Sequence, residues 1–371
     1  MDEIVAQHRL HPLVRSHLHA ISPYVPGRPI ADVMREFGLQ HVVKLASNEN
    51  PLGPSMLAVQ AGQQAMLEVN RYPDGAAQDL REAIAKHSGL TKDYVIVSNG
   101  SDEMIKMIAE TFLDHGDEIV LPFPSFAQYT FGANVMDAKI TYVPLHEDLT
   151  YDLQAMLRAI SDKTKIVYLC TPNNPTGSWL QHREVDAFIH QLPDHVLLVL
   201  DEAYCEYVTS PDPIRSESWI AQGKPLLSLR TFSKIYGLAG LRLGYTLGHP
   251  ALLAYLHKVR EPFNANAVAQ KTAIAALFDQ EHVLRVRDYN EVERQRYYAF
   301  FEEHKMRYYP SQGNFLLLDV GDGREVFDRL QRKGIITRAG FPGLERCVRI
   351  SIGTREENEQ CREALLAVLH K

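Results

Sequence analysis

The sequence predicts an α/β protein: a large domain with a mostly parallel central sheet flanked by helices, plus a smaller α+β domain. Three observations carry this reading. Short, near-continuous apolar runs alternate with longer segments of helical spacing, the pattern of a parallel sheet covered on both faces. Four of these runs lead straight into polar motifs, and parallel sheets hold ligands outside the carboxyl ends of their strands. After Pro262 the pattern changes to long helices and a few short strands.

In chain order, residues 1–30, with Pro12, Pro23, Pro26 and Pro29, read as an arm. Residues 31–46 join the small domain, with Val42–Leu45 as a strand that enters the large one. The large domain spans 47–262. Its strands are expected at Tyr94–Val97, Glu118–Leu121, Lys165–Cys170, Val196–Leu200, Leu226–Leu229 and Leu243–Leu247. Met104, Ile105, Ile108 and Phe112 mark the apolar face of one intervening helix. The rest of the small domain is 263–371. Residues 266–305 read as long helices, Asn314–Asp319 and Cys347–Ile352 as strands, and the last helix begins near Glu356.

A chain of 371 residues has room for two domains and a sizeable core. A net charge of −7 argues against a nucleic-acid partner. The four cysteines, Cys170, Cys205, Cys347 and Cys361, have no paired spacing. They suggest neither a zinc site nor a disulfide framework and fit a reducing compartment. Met1–Leu10 is mixed and polar, unlike a secretory signal, and no apolar run reaches membrane-spanning length. A cytoplasmic protein without a membrane partner is expected. His8, His11, His17 and His19 share no helix face, so no metal is expected.

The chemistry concentrates at the strand ends. Leu226–Leu229 leads into Arg230-Thr231-Phe232-Ser233-Lys234, and Gly240-Leu241-Arg242 follows. A desolvated lysine amine forms Schiff bases with aldehydes. Thr231, Ser233 and Arg242 suit a phosphate. Gly100, Ser101 and Asp102 open a helix after Val95-Ile96-Val97, and a helix N-terminus binds anions. A ligand with both an aldehyde and a phosphate is pyridoxal 5'-phosphate. Its ring nitrogen needs a carboxylate, and Asp201 ends an apolar strand. Asn174 and Tyr204 follow strands and suit its phenolic oxygen. Phe126, with Phe123 as rival, could cover its ring. Arg349 stands within an apolar strand and Arg338 follows another, and both suit an anionic substrate.

The motifs Asn174-Pro175-Thr176-Gly177, Asp201-Glu202-Ala203-Tyr204, Ser233-Lys234 and Gly240-Leu241-Arg242, in this order, resemble the fold-type I aminotransferases of class I/II. Ser22-Pro23-Tyr24, Leu45–Ser55, Arg71-Tyr72-Pro73-Asp74-Gly75 and Val348–Thr354 are similar to the histidinol-phosphate aminotransferases within that class. The resemblance implies the fold-type I pyridoxal-phosphate transferase fold and transamination between L-histidinol phosphate and 2-oxoglutarate, giving glutamate. It implies Lys234 as the catalytic base, with Tyr24, Asn48, Arg338 and Arg349 at the substrate. It also implies a homodimer in which Tyr72 reaches the cofactor phosphate of the partner subunit. Phe126 stands where related enzymes often carry tyrosine, and Pro-Ser-Phe also occurs in relatives that prefer aromatic amino acids. An aromatic aminotransferase is therefore the first alternative and threonine-phosphate decarboxylase the second. A regulator with an aminotransferase-like domain would need a DNA-binding module, and no segment here supplies one.

Overall fold

The computed structural model describes residues 13–21 and 27–369. Tyr24, His8 and His11 lie outside the described residues. Twelve strands are labelled here: β1 Val43–Lys44, β2 Val95–Ser98, β3 Glu118–Phe123, β4 Lys139–Pro144, β5 Thr164–Cys170, β6 Leu197–Asp201, β7 Leu226–Thr231, β8 Gly244–Gly248, β9 Arg307–Tyr309, β10 Phe315–Asp319, β11 Ile335–Ile336 and β12 Cys347–Ser351.

Seven of them form the main sheet, in the order β2-β8-β7-β6-β5-β3-β4. β7, β6, β5, β3 and β4 pair in parallel, while β8 runs antiparallel to both β2 and β7. Side chains alternate between the two faces of a strand, so a doubly covered sheet should feed two cores. It does. Val97, Val167, Leu169, Leu198 and Leu200 enter one apolar cluster, and Ile96, Ile166, Tyr168, Leu197 and Val199 enter the other. The helix Gly100–Phe112 places Met104, Ile105 and Ile108 in that second cluster.

The six strands expected in the large sheet are present, with ends shifted by up to two residues. β4 is an addition. Its part-exposed sequence Lys139-Ile140-Thr141-Tyr142 lacks a continuous apolar run because it lies at the sheet edge.

A separate core forms around the antiparallel sheet β12-β10-β9. Leu316, Leu318, Val348 and Ile350 pack there against Tyr297, Phe301 and Leu365 from the helices Gln280–Glu303 and Arg355–Leu369. β1 pairs in parallel with β11, so Val43 and Leu45 belong to this core. The chain then crosses to the main sheet through residues 46–54.

Within the expected N-terminal arm, the turn Ser16–Ala20 rests near the end of the helix Gln128–Val135. There His17 Nε2 lies 3.1 Å from Val135 O. Among the described residues no group of His, Cys, Asp and Glu could hold a metal, and no helix is long and apolar enough to cross a membrane.

Candidate active site

The carboxyl ends of β2, β5, β6 and β7 lie along one edge of the main sheet, and their loops bring the sequence motifs together. Lys234 sits half-buried after β7. Its Nζ donates to Ser47 O at 3.1 Å and stands 5.8 Å from the Tyr204 ring centre. Burial, followed by repulsion from Arg349, pushes its amine down to about 8. Arg242, the nearer of the two cations in sequence, contributes less than Arg349. An amine at that value keeps a useful neutral fraction near neutral pH, as a nucleophile or base must. The loop is held in place by Gly237. Its φ is +69°, and a Cβ there would come within 2.6 Å of the Gly53 backbone.

Asp201, at the end of β6, is 3% exposed. The Tyr129 hydroxyl donates to its Oδ2 at 2.6 Å and the Ala203 N–H to its Oδ1 at 3.0 Å. Burial nevertheless pushes the carboxyl up to about 6. The groups that act most strongly on it are these two donors and the carboxylates of Asp102 and Glu202, with no cation among them. A buried carboxylate without a cation among its strongest neighbours suits a cationic partner. The next residue, Glu202, engages Ser216, Ser228 and Arg230 instead, with Arg230 Nη2 3.3 Å away.

Tyr204 is 4% exposed, accepts from Asn48 Nδ2 at 2.9 Å and meets Phe315 edge-on at 5.1 Å. Asn174 Oδ1 accepts from Arg349 Nη1 at 2.5 Å, and Arg349 Nη2 donates to Ala46 O at 2.5 Å. The Arg349 guanidinium lies 5.4 Å and 5.3 Å from the Phe315 and Phe341 ring centres. Two rings and two acceptors thus hold this fork at the site, 6% exposed, instead of turning it to water. Arg338 exchanges both backbone hydrogen bonds with Arg349, at 3.0 and 2.7 Å.

Gly100–Asp102 and Arg242, the residues expected at an anion, lie together. Gly100, Ser101 and Asp102 form the first turn of the helix Gly100–Phe112. Arg242, at φ 55°, reaches Asp102 Oδ2 at 3.3 Å. Gly100 has φ +78°, and a Cβ there would lie 2.8 Å from Arg242 Nη2, so only glycine lets the guanidinium come this close. Ser233 is 8% exposed. The Thr231 hydroxyl is engaged by its own loop, accepting from the Ser233 N–H at 3.1 Å.

Of the two candidate ring covers, Phe126 packs edge-on at 5.6 Å to Tyr129, whose hydroxyl donates to Asp201. Phe123 packs against Tyr142 at 5.2 Å on β4. Tyr72 is 82% exposed and stacks on Phe263 at 4.8 Å, outside this cluster.

Sequence reasoning missed Tyr129, Phe315, Phe341 and the Ser47 carbonyl. Only Tyr129 carried a signal, as an aromatic three residues after Phe126. A backbone carbonyl carries none.

Residues 40–365 match the family model for aminotransferase class I and II. The chain belongs to the class I and II aminotransferases. It is similar to the histidinol-phosphate aminotransferase of Moorella thermoacetica, with 45% identity over 96% of this chain and 93% of that protein. The histidinol-phosphate aminotransferase of Anoxybacillus flavithermus is 44% identical over 96% of both chains. Among solved structures, that of histidinol-phosphate aminotransferase from Sinorhizobium meliloti in complex with pyridoxal-5'-phosphate superposes with a TM-score of 0.89. Its sequence identity is 31%, over 96% of this chain and 97% of that one. In this aminotransferase Asp201 and Lys234 stand at the ends of main-sheet strands, and Arg349 reaches Asn174 from the middle of β12 in the smaller sheet.

Proposed function

We propose that this aminotransferase uses pyridoxal 5'-phosphate to exchange an amino group between L-histidinol phosphate and 2-oxoglutarate. The observation that carries the reading is the cluster of Lys234, Asp201 and Arg349, in a chain whose relatives bear that activity's name at 44–45% identity.

The residues present fit the cofactor. Asp201 is a buried carboxylate suited to a cationic ring nitrogen. The lowered Lys234 amine suits an aldehyde. Arg242, Ser233 and the N-terminal turn Gly100–Asp102 suit a phosphate. When bound, the cofactor supplies an electron sink for charge that develops at the substrate carbon.

The chain's own residues do the rest. Asp201 keeps a proton on the ring nitrogen. Lys234 would move the proton at the substrate carbon as general base and then acid. Tyr204 and Asn174 hydrogen-bond the phenolic oxygen. Phe126 covers the ring and excludes water. Arg349 takes the substrate anion, with Arg338 and Tyr24 as its partners in that role. That anion is a carboxylate in glutamate and a phosphate in histidinol phosphate, and a guanidinium fork matches both.

A substrate panel tests the reading. With glutamate or 2-oxoglutarate as partner, histidinol phosphate should exceed phenylalanine in kcat/KM by at least about tenfold. A preference for phenylalanine would make this an aromatic aminotransferase. Carbon dioxide release from threonine phosphate, without amino transfer, would make it a decarboxylase.

The protein works, in this reading, as a homodimer. Tyr72, Met66, Leu67 and Val69 are 82%, 57%, 74% and 53% exposed, an apolar surface suited to a second copy. Tyr72 would then complete the partner's phosphate corner. Mixing Tyr72→Phe protein with Lys234→Ala protein checks this. Hybrids should contain one fully restored site, and activity equal to the sum of the separate variants would rule the shared site out.

A further inference from the structure

Asn48 was expected at the substrate, but its bonds point elsewhere. It is 1% exposed and both ends of its amide are taken by the protein. Nδ2 donates to Tyr204 Oη at 2.9 Å, and Oδ1 accepts from Ser351 Oγ at 2.8 Å. Its backbone N–H also donates to Ser351 Oγ, at 2.8 Å, and its carbonyl accepts from Asn314 Nδ2 at 3.0 Å. The residue adopts φ 54°, in the left-handed region, where asparagine is one of the few side chains that settle readily.

These bonds fix the direction of a proton. Ser351 accepts from the Asn48 N–H, so its own hydrogen is available for Asn48 Oδ1. That leaves the NH2 end of the amide facing Tyr204. An NH2 group only donates, so Tyr204 Oη accepts from it and keeps its own hydrogen for another acceptor. Burial pushes the Tyr204 phenol up from its ordinary value, so the hydrogen stays on. Ser351 is the last residue of β12 and Arg349 stands two before it, on the same face of the strand.

We propose that Asn48 is a positioning residue: it sets Tyr204 as a hydrogen-bond donor to the cofactor's phenolic oxygen and ties that donor to the strand that carries Arg349. This rests on the cofactor reading above. Asn48 then does not touch substrate. The strand that presents the anion-binding arginine also holds the amide that orients the tyrosine. A shift of β12 on substrate binding would reach the phenolic oxygen through three hydrogen-bonded groups, Ser351, Asn48 and Tyr204.

The test is a double-mutant cycle on the holoenzyme, with Asn48→Ala, Tyr204→Phe, the double variant and Asn48→Asp. The readouts are the pH midpoint of the bound cofactor's visible absorbance and the separate values of kcat and KM. Loss of a donor leaves the phenolic oxygen more basic, so the proton it shares is held more tightly and the midpoint rises. Tyr204→Phe should raise it by about one unit and Asn48→Ala by roughly half of that. In the Tyr204→Phe background, Asn48→Ala should add almost nothing. Asn48→Asp turns the donor into an acceptor that captures the Tyr204 hydrogen, so it should shift the midpoint at least as far as Tyr204→Phe.

Additive shifts would overturn the proposal. So would a rise in KM from Asn48→Ala that persists without the Tyr204 hydroxyl, since that would mean direct contact with substrate. Should Asn48→Ala fail to fold, Ser351→Ala releases the same amide and should give a smaller shift in the same direction. An unchanged midpoint there also counts against the proposal. Wild-type protein that binds no such chromophore at Lys234 overturns the cofactor reading, and the inference with it.

Discussion

Lys234→Ala should leave a folded protein with no measurable transamination. The side chain is half-buried in a loop and makes one hydrogen bond, to Ser47 O at 3.1 Å. Losing that bond costs about 1 kcal/mol, and relief of a desolvated amine offsets part of it. Stability should therefore hardly change. Activity should, because one amine performs two tasks. In the proposed reading it attaches the cofactor and carries the proton at the substrate carbon. A positioned general base is worth roughly 10²- to 10⁴-fold, and the lost attachment adds to that. The fall in kcat should be on the order of 10⁴-fold or more. Turnover with histidinol phosphate and the cofactor's absorbance on the protein check it together. Activity above about one hundredth of wild type would remove Lys234 from the mechanism.

Asp201→Ala should be the second most damaging change, on the order of 10²- to 10³-fold in kcat, the scale of losing one preorganised electrostatic partner. Cofactor binding should weaken far less, since the phosphate corner and Lys234 remain. The pH dependence separates this role from a packing role. The Asp201 carboxyl stands at about 6 because burial disfavours its charge. A carboxyl raised in this way is charged above that value and neutral below it. Affinity for a cationic ring should thus fall as pH drops through about 6. Asp201→Asn should flatten that limb. Tyr129→Phe removes a donor to the charged form and should move the limb upward, by about one unit. Cofactor titration of the apo-protein across pH 5–8 reads all three, and a limb that ignores both substitutions would separate Asp201 from the ring.

Much of the site could be read in the sequence because parallel sheets put chemistry at strand ends. Asp201, Lys234, Asn174 and the Gly100–Asp102 turn each follow an apolar run, and the fold rule alone gathers them along one edge. Arg349 was legible for a different reason, as a guanidinium inside an apolar strand that had to meet an anion, although the partners it meets here are the neutral acceptors Asn174 Oδ1 and Ala46 O. What escaped depends on contacts distant in sequence. Tyr129 meets Asp201 across 72 positions and Asn48 meets Ser351 across 303. No local pattern records such pairs. β4 was missed because its outer edge faces water, and β11 because two residues are too short for a period to show. The depression of the Lys234 amine by Arg349 more than by Arg242 also required the fold, since the nearer cation in sequence is the weaker one in space.

The stretch 46–50 has no helix or strand, yet nearly every polar group described along it is committed. Ala46 O holds Arg349, Ser47 O holds Lys234, Asn48 holds Tyr204 and Ser351, and Asn50 Nδ2 reaches Ile235 O at 2.8 Å. For anyone recombining this enzyme with a relative, that makes the most tempting crossover point the worst one. A chimera joined there would mix two sets of bonds to one lysine and one arginine. Its parents would have to contribute residues 46–50, Asn314 and Ser351 as a single inherited block, although the chain scatters them over some three hundred positions.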